Sequence, residues 1–278
     1  MIKILDGKAL SLRLRESLKE QISHLSKGPK LLIIQIGNRI ESNTYIKRKK
    51  EFGKYIGAIV IHKKYKSSIT EKDLIKKIQK FNSDRTIDGI IVQLPLPRHL
   101  DKTKILESID VEKDVDGQTS ESMKALMDGR PGFIPATTRG VITLLEYNSI
   151  PIKGKRVCIV GRSTLVGKPT ALEFLNKNAT VTVCHSATTD LQSCTSKADI
   201  LVVGIGKPNF INKEYVKKGQ VIIDIGINPV VKRGKTKLVG DVDHKSVQHK
   251  AGAITPVPGG VGPMTILSLF ENLLIAQG

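Results

Sequence analysis

Val157-Cys158-Ile159-Val160-Gly161-Arg162-Ser163-Thr164-Leu165-Val166-Gly167-Lys168-Pro169 is an apolar run that stops at a glycine and passes, through a polar turn, into residues of helical composition at 170–176. Strand, glycine turn and helix in that order form the first half of a Rossmann-type unit. Gly161 permits the tight turn, and the helix start presents N–H groups and the positive end of its dipole to a pyrophosphate. Ser163 stands where the common G-x-G-x-x-G turn has its second glycine, and a plain strand-to-helix turn would read much the same way. Further Ile- and Val-rich runs, at 180–184, 200–203 and 221–225 after it and at 31–36, 58–62 and 89–94 before it, alternate with polar helical stretches. Such runs are parallel strands buried on both faces, and the fold class is α/β.

Turn residues at Asp116-Gly117 and again at 150–155 bracket a helix expected over 138–148, which puts a domain boundary in that interval. The expected organisation is an N-terminal α/β domain over 1–137 and a C-terminal Rossmann-type domain over 138–263. The segment 264–278, with an apolar helix from 264 to 276, then packs back on the first domain. Before it, the stretch from Pro256 to Pro263 reads as a stiff but glycine-permissive loop. A cleft between the two lobes is the expected ligand site.

With 278 residues the chain can bury two cores without staples. Cys158, Cys184 and Cys194 are odd in number and lack the spacing of a zinc site or a secreted framework, which suits a reducing, cytoplasmic setting. No stretch approaches the roughly 20 apolar residues of a bilayer span, and the N-terminus has no signal-like apolar region, so no membrane association is expected. The formal net charge of +19 raises nucleic acid as a partner, but the lysines are dispersed, aromatic residues make up 4%, and no nucleic-acid motif is present. No nucleic acid is expected, and the excess reads as solvated surface charge that also attracts anionic substrates.

At the end of the strand after the glycine turn, where NAD enzymes place an acid on the adenosine ribose, the chain has His185-Ser186. No carboxylate is there to repel a 2′-phosphate, Ser186 can donate to one, and Arg162 offers a fork of donors, so NADP is the expected cofactor. His185 reads equally as a turn residue. The small residues of Gly204-Ile205-Gly206 and Gly226-Ile227-Asn228 fall at strand ends where a nicotinamide ribose would lie, or where ordinary tight turns would put them.

In the first half, residues 42–56 read as a helix with cap residues Ser42 and Asn43 at its start. At 100° per residue Tyr45, Lys49, Phe52 and Ile56 share one stripe, opposite Lys47, Glu51 and Lys54, with Lys50 off it. A lysine on an apolar stripe either snorkels to water or loses hydration, and in the second case its pKa falls and it becomes an acid/base group. Gln93 ends a buried strand before Pro95 and Pro97, where it could bond that lysine, a ligand or the backbone. Asp114-Val115-Asp116-Gly117 begins like a calcium loop, but the later ligands are missing and no metal is expected; an Asp-Gly turn is the simpler reading.

Taken together these blocks resemble the bifunctional methylenetetrahydrofolate dehydrogenase/cyclohydrolase family almost end to end. They are Ser42-Asn43-Thr44-Tyr45-x-x-x-Lys49, Gln93-Leu94-Pro95-Leu96-Pro97, Lys113-Asp114-Val115-Asp116-Gly117, Val160-Gly161-Arg162-Ser163-x-x-Val166-Gly167-x-Pro169, Ala179-Thr180-Val181-Thr182-x-x-His185-Ser186 and Thr255 to Met264. The resemblance implies an N-terminal folate-binding domain and a C-terminal NADP-binding domain. It implies oxidation of 5,10-methylenetetrahydrofolate with NADP, followed by hydrolysis of the methenyl product to 10-formyltetrahydrofolate.

By the same resemblance Lys49 is the acid/base group, Tyr45 helps to place the folate, Gln93 holds the lysine and Asp116 binds the pterin. Pro258, Gly259, Gly260 and Val261 approach the folate through their backbone. Gly161, Arg162, Ser163, Ser186 and Ile227 contact NADP. The implied partners are tetrahydrofolate derivatives, including polyglutamylated ones, and a second copy in a homodimer. The chain departs from the family at Pro135-Ala136-Thr137-Thr138, where Pro-Cys-Thr-Pro is usual, and at Ser122, where Asn is usual. A monofunctional dehydrogenase of the family is the nearest rival, although Tyr45 and Lys49 are both retained. More distant are a Rossmann oxidoreductase acting on another substrate and a basic nucleic-acid-binding α/β protein.

Overall fold

The structure, a computed structural model, describes residues 2–232 and 235–277. Met1 and Gly278, assigned above to the first domain, and Arg233 and Gly234, assigned to the second, lie outside them. The strands are β1 (Lys3–Ile4), β2 (Lys30–Ile36), β3 (Ile59–Tyr65), β4 (Gly89–Val92), β5 (Arg156–Val160), β6 (Thr180–Cys184), β7 (Ile200–Val203), β8 (Val221–Asp224), β9 (Asn228–Lys232), β10 (Lys235–Val239) and β11 (Ala253–Ile254). The helices are α1 (Gly7–Ser23), α2 (Ile40–Ile56), α3 (Glu71–Asn82), α4 (Lys102–Glu107), α5 (Ser120–Met127), α6 (Ala136–Tyr147), α7 (Gly167–Asn176), α8 (Leu191–Lys197), α9 (His244–Val247) and α10 (Val261–Ile275). They fall into two compact units. One comprises the chain up to Ser11 with Thr137–Thr265, the other Leu12–Ala136 with the chain from Ile266 onward.

In the first of these, a parallel sheet runs β1-β11-β8-β7-β5-β6, so the strand order reverses between β5 and β7. That reversal opens the crevice at the strand ends in which doubly wound sheets bind ligands. Cys158, Val160, Leu201, Val203 and Ile222 from its central strands pack in one apolar core. β1 corrects the expected domain limits. Its two residues pair with β11, with Lys3 N–H donating to Gly252 O at 2.9 Å and Leu5 N–H to Ile254 O at 2.8 Å, so the N-terminal segment belongs here and not with residues 12–136. Two residues carry too short a pattern to be read as a strand from sequence. The antiparallel pair β9–β10 was likewise not expected.

The other unit has a parallel sheet ordered β3-β2-β4, whose central strand is buried along six of its seven residues. α3 lays Leu74 and Ile78 on Leu32, Ile34 and Ile90, and its start is capped by Thr70, which accepts from Asp73 N–H. β3 runs on to Tyr65, past the expected end at 62, because an edge strand tolerates the polar pair Lys63-Lys64 that interrupts its apolar pattern. β4 stops at Val92, which leaves Gln93 just beyond the strand. α2 starts at Ile40, before the expected caps: Ser42 is buried within its first turn and Asn43 bonds Gln35 and Asn38. α10 starts at Val261, since Pro263 is accepted in a first helical turn whose N–H groups have no helical acceptor. Along its later turns Phe270 is fully buried and stacks on Phe52, with ring centroids 5.2 Å apart.

Candidate active site

Lys49, Gln93 and Asp116 converge in the three-stranded unit. Burial on α2 centres on Ser42, Ile46, Gly53 and Ile56, and Tyr45, Lys49 and Phe52 lie half-buried along that face. The lysine ammonium donates to Gln93 Oε1 at 3.1 Å, while Gln93 Nε2 donates to Leu94 O at 3.0 Å, which fixes the amide with its oxygen toward the lysine. Loss of hydration pulls the Lys49 pKa below the usual lysine range, and the charge of Asp116 opposes that shift. Burial likewise pushes the Tyr45 phenol up, against a smaller effect of Arg48.

Asp116 sits on a loop pinned from several sides. The Lys113 ammonium donates to the carbonyls of Phe81, Asn82 and Asp84 at the end of α3, at 3.1, 2.6 and 2.8 Å. Buried Asp114 accepts from the N–H of Gln118 (3.0 Å) and Thr119 (2.7 Å) and from the Ser122 hydroxyl (2.7 Å). Ser122, where the chain departs from the family, is thus a full partner in ordering the loop. Asn272 of α10 closes it by donating to Val115 O and Ile134 O at 2.9 and 2.8 Å. The Asp116 carboxylate accepts from Gln118 Nε2 and from the backbone N–H of Ala136. That second donor is main chain, so alanine in place of the usual cysteine retains it. Desolvation raises the Asp116 pKa from 3.8 to about 6, with Lys49 acting against the rise and Asp114 adding to it. Asp116 and Lys49 therefore form a coupled acid/base pair in a partly dehydrated setting.

Sequence reasoning missed a second polar chain in this unit. Gln35 is buried and gives its Nε2 to Asn43 Oδ1 at 2.8 Å, so its Oε1 accepts from His62 Nε2 at 2.8 Å and His62 Nδ1 is left to accept from Lys50 at 3.2 Å. Burial, with Lys50 and Lys64, holds His62 below its usual range. Among the described residues no His, Cys, Asp and Glu side chains group as metal ligands.

The cofactor-type residues all lie in the six-stranded unit. Gly161 has φ 128°, and a Cβ there would stand 2.5 Å from Gly204 O, so only glycine fits where the β5 turn meets the β7 turn. Ser163 does more than replace a glycine. Its hydroxyl accepts from the N–H of Val166 (3.2 Å) and Gly167 (3.4 Å) and so occupies two donors at the start of α7 that were expected to be free for a ligand. Arg162, Ser186 and Ile227 are exposed. His185 Nδ1 accepts from Ala187 N–H at 3.2 Å, which makes its ring part of its own turn. Thr138, in place of the usual proline, bonds Thr170 across α6 and α7 at 3.0 Å with both side chains buried. Pro258, Gly259, Gly260 and Val261 are in this unit as well, with Gly259 O accepting from Lys8 N–H at 2.7 Å.

Comparison with known proteins gives the family. A family model described as tetrahydrofolate dehydrogenase/cyclohydrolase, catalytic domain, matches residues 5–116, and one described as the NAD(P)-binding domain of the same family matches residues 135–277. The bifunctional protein FolD of Agathobacter rectalis is 47% identical over 280 residues, covering 100% of this chain and 99% of that protein. The crystal structure of the bifunctional enzyme FolD, methylenetetrahydrofolate dehydrogenase/cyclohydrolase, from Campylobacter jejuni superposes with a TM-score of 0.96 at 41% identity, over 99% of this chain and 98% of that one. The Trypanosoma brucei dehydrogenase-cyclohydrolase, solved with NADP cofactor and inhibitor, gives a TM-score of 0.94 at 33% identity, over 99% and 97%. Shikimate dehydrogenase from Aquifex aeolicus, at 13% identity and a TM-score of 0.57, shares the fold alone. With both family models placed in order along it, this chain belongs to the tetrahydrofolate dehydrogenase/cyclohydrolase family.

Proposed function

We propose that the protein oxidises 5,10-methylenetetrahydrofolate to the methenyl cation with NADP and then hydrolyses that cation to 10-formyltetrahydrofolate. The observation that carries this reading is Lys49, half-buried, held by Gln93 Oε1 at 3.1 Å and electrostatically coupled to Asp116. NADP fits the residues at the strand ends, because β6 is followed by His185-Ser186 without an acid and the exposed Arg162 offers guanidinium donors. When bound, it accepts the hydride from the methylene carbon.

The chain's own groups account for the proton steps. In the hydrolysis, water oxygen bonds to the methenyl carbon while Lys49, as the neutral amine, takes the water proton. Cleavage of one carbon–nitrogen bond, with the hydroxyl proton of the adduct released to water, then leaves the formyl group, and the lysine ammonium returns a proton to the released nitrogen. Gln93 orients the amine throughout. The Asp116 carboxylate accepts from the donor edge of the pterin, and Tyr45, Pro258, Gly259, Gly260 and Val261 help to seat the substrate. Gly161, Arg162, Ser163, Ser186 and Ile227 contact the cofactor. Membership of a folate-enzyme family supports tetrahydrofolate derivatives as substrates. A homodimer in the cytoplasm is part of the same proposal. A spectrophotometric assay with methylenetetrahydrofolate and NADP, following methenyl formation and decay, tests it. Methenyl that accumulates and decays only at its spontaneous rate would leave a dehydrogenase without the second activity.

A further inference from the structure

Asp241 is fully buried among the turns that leave β7 and β8. Its Oδ2 accepts from the N–H of Ile205 at 2.6 Å and of Gly206 at 2.9 Å, and its Oδ1 accepts from Asn228 Nδ2 at 2.8 Å. Asp224, the last residue of β8 and also buried, seats it in turn. Asp224 Oδ1 accepts from the N–H of Asp241 and Gly226, and Oδ2 from that of Val242, each at 3.0 Å. The packing is so close that a Cβ on Gly226 would overlap the Asp241 carboxylate.

Two buried carboxylates are a costly way to hold loops if stability is all they provide, because apolar packing would avoid the desolvation. What they fix is backbone at 204–206 and 226–228, on the β7–β8 side of the Gly161 turn, at the carboxyl ends of the strands. In a sheet of this order the adenosine half of a dinucleotide lies toward β6, and the second half lies over β7 and β8. We propose that Asp241, paired with Asn228 and seated by Asp224, is a positioning residue for the nicotinamide half of the cofactor: it sets the two loops against which that half docks. The proposal rests on the NADP reading above.

The test compares NADP with 2′,5′-ADP, which carries the adenosine half and no nicotinamide. Asp241→Asn keeps the side-chain shape but turns an amino group toward either the loop amides or Asn228. The reciprocal pair Asp241→Asn/Asn228→Asp restores a donor opposite an acceptor. Titrations should show NADP affinity lowered about tenfold in Asp241→Asn, the scale of a lost hydrogen bond to a charged group, with 2′,5′-ADP affinity within about twofold of wild type. The reciprocal pair should recover most of the loss, short of all of it because Asn228 Nδ2 also lies 3.4 Å from Val239 O. Asn228→Ala, which removes the bonds to Asp241 Oδ1 and Val239 O but leaves the Ile205 and Gly206 N–H groups their acceptor, should weaken NADP selectively and less.

Equal weakening of both probes in folded variants, or unchanged NADP affinity, would overturn the positioning role. Failure of all three variants to fold would do the same by assigning these residues to stability alone. A wild type that binds neither probe would instead remove the NADP reading and this inference together, so the two failures are separable.

Discussion

Lys49 shows how one side chain's environment decides its chemistry. Helical spacing put it on a buried stripe, but the burial that lowers its pKa, the charge of Asp116 that opposes the shift and the bond to Gln93 come from the fold, the last two from residues 67 and 44 positions away in sequence. Lys49→Met keeps length and helix propensity, so the fold should survive while hydrolysis of supplied methenyltetrahydrofolate, corrected for its spontaneous rate, falls by roughly 10²-fold. Near-wild-type hydrolysis would remove the lysine from the mechanism. For Asp116 the folded protein binds its proton more tightly than the unfolded chain does, so its contribution to stability declines as pH rises from 3.8 to about 6 and stays low above that. Asp116→Asn should therefore raise the thermal midpoint more at about pH 7.5 than at about pH 4, and equal shifts at both would contradict the raised pKa. Arg162→Ala should narrow the preference for NADP over NAD in paired kcat/KM measurements, whereas unchanged selectivity would clear that arginine of reading the 2′-phosphate.

At the scale of elements, legibility followed burial. β2 and β4 are buried on both faces and read as apolar runs, interrupted in β2 by Gln35, whereas β3, at the sheet edge, carries lysines that hid its last residues. β1 and β11 have two residues each, and only their partners make them strands. The last helix shows the same dependence, because its apolar composition marked it as buried without saying against what. Phe270 packs on Phe52 and Asn272 ties the Asp116 loop, so α10 is part of the core beneath the lysine. Phe270→Ala should cost about 3–5 kcal/mol of unfolding free energy in denaturant titration. A loss below about 1 kcal/mol would mean that the helix end packs loosely.

For the molecule as a whole, Tyr45, Lys49, Gln93 and Asp116 fall in one compact unit, and Arg162 with the other proposed cofactor-binding residues falls in the other. Direct titration of Asp116→Ala should show folate binding weakened and NADP binding kept, and equal loss of both in a folded protein would make Asp116 a support for the fold. The sequence by itself determined the α/β class, the Rossmann turn, the lysine stripe and the family, because each rests on local periodicity or on short ordered motifs. Tertiary structure alone decided that β1 joins the six-stranded sheet, that Ser163 caps α7, that Ser122 bonds Asp114, and that Asp224 and Asp241 lie buried under backbone donors. The physical reason is the same in each case. A buried polar group is defined by the partner that satisfies it, and that partner is brought by the fold from elsewhere in the chain or by a turn whose path the local pattern leaves open.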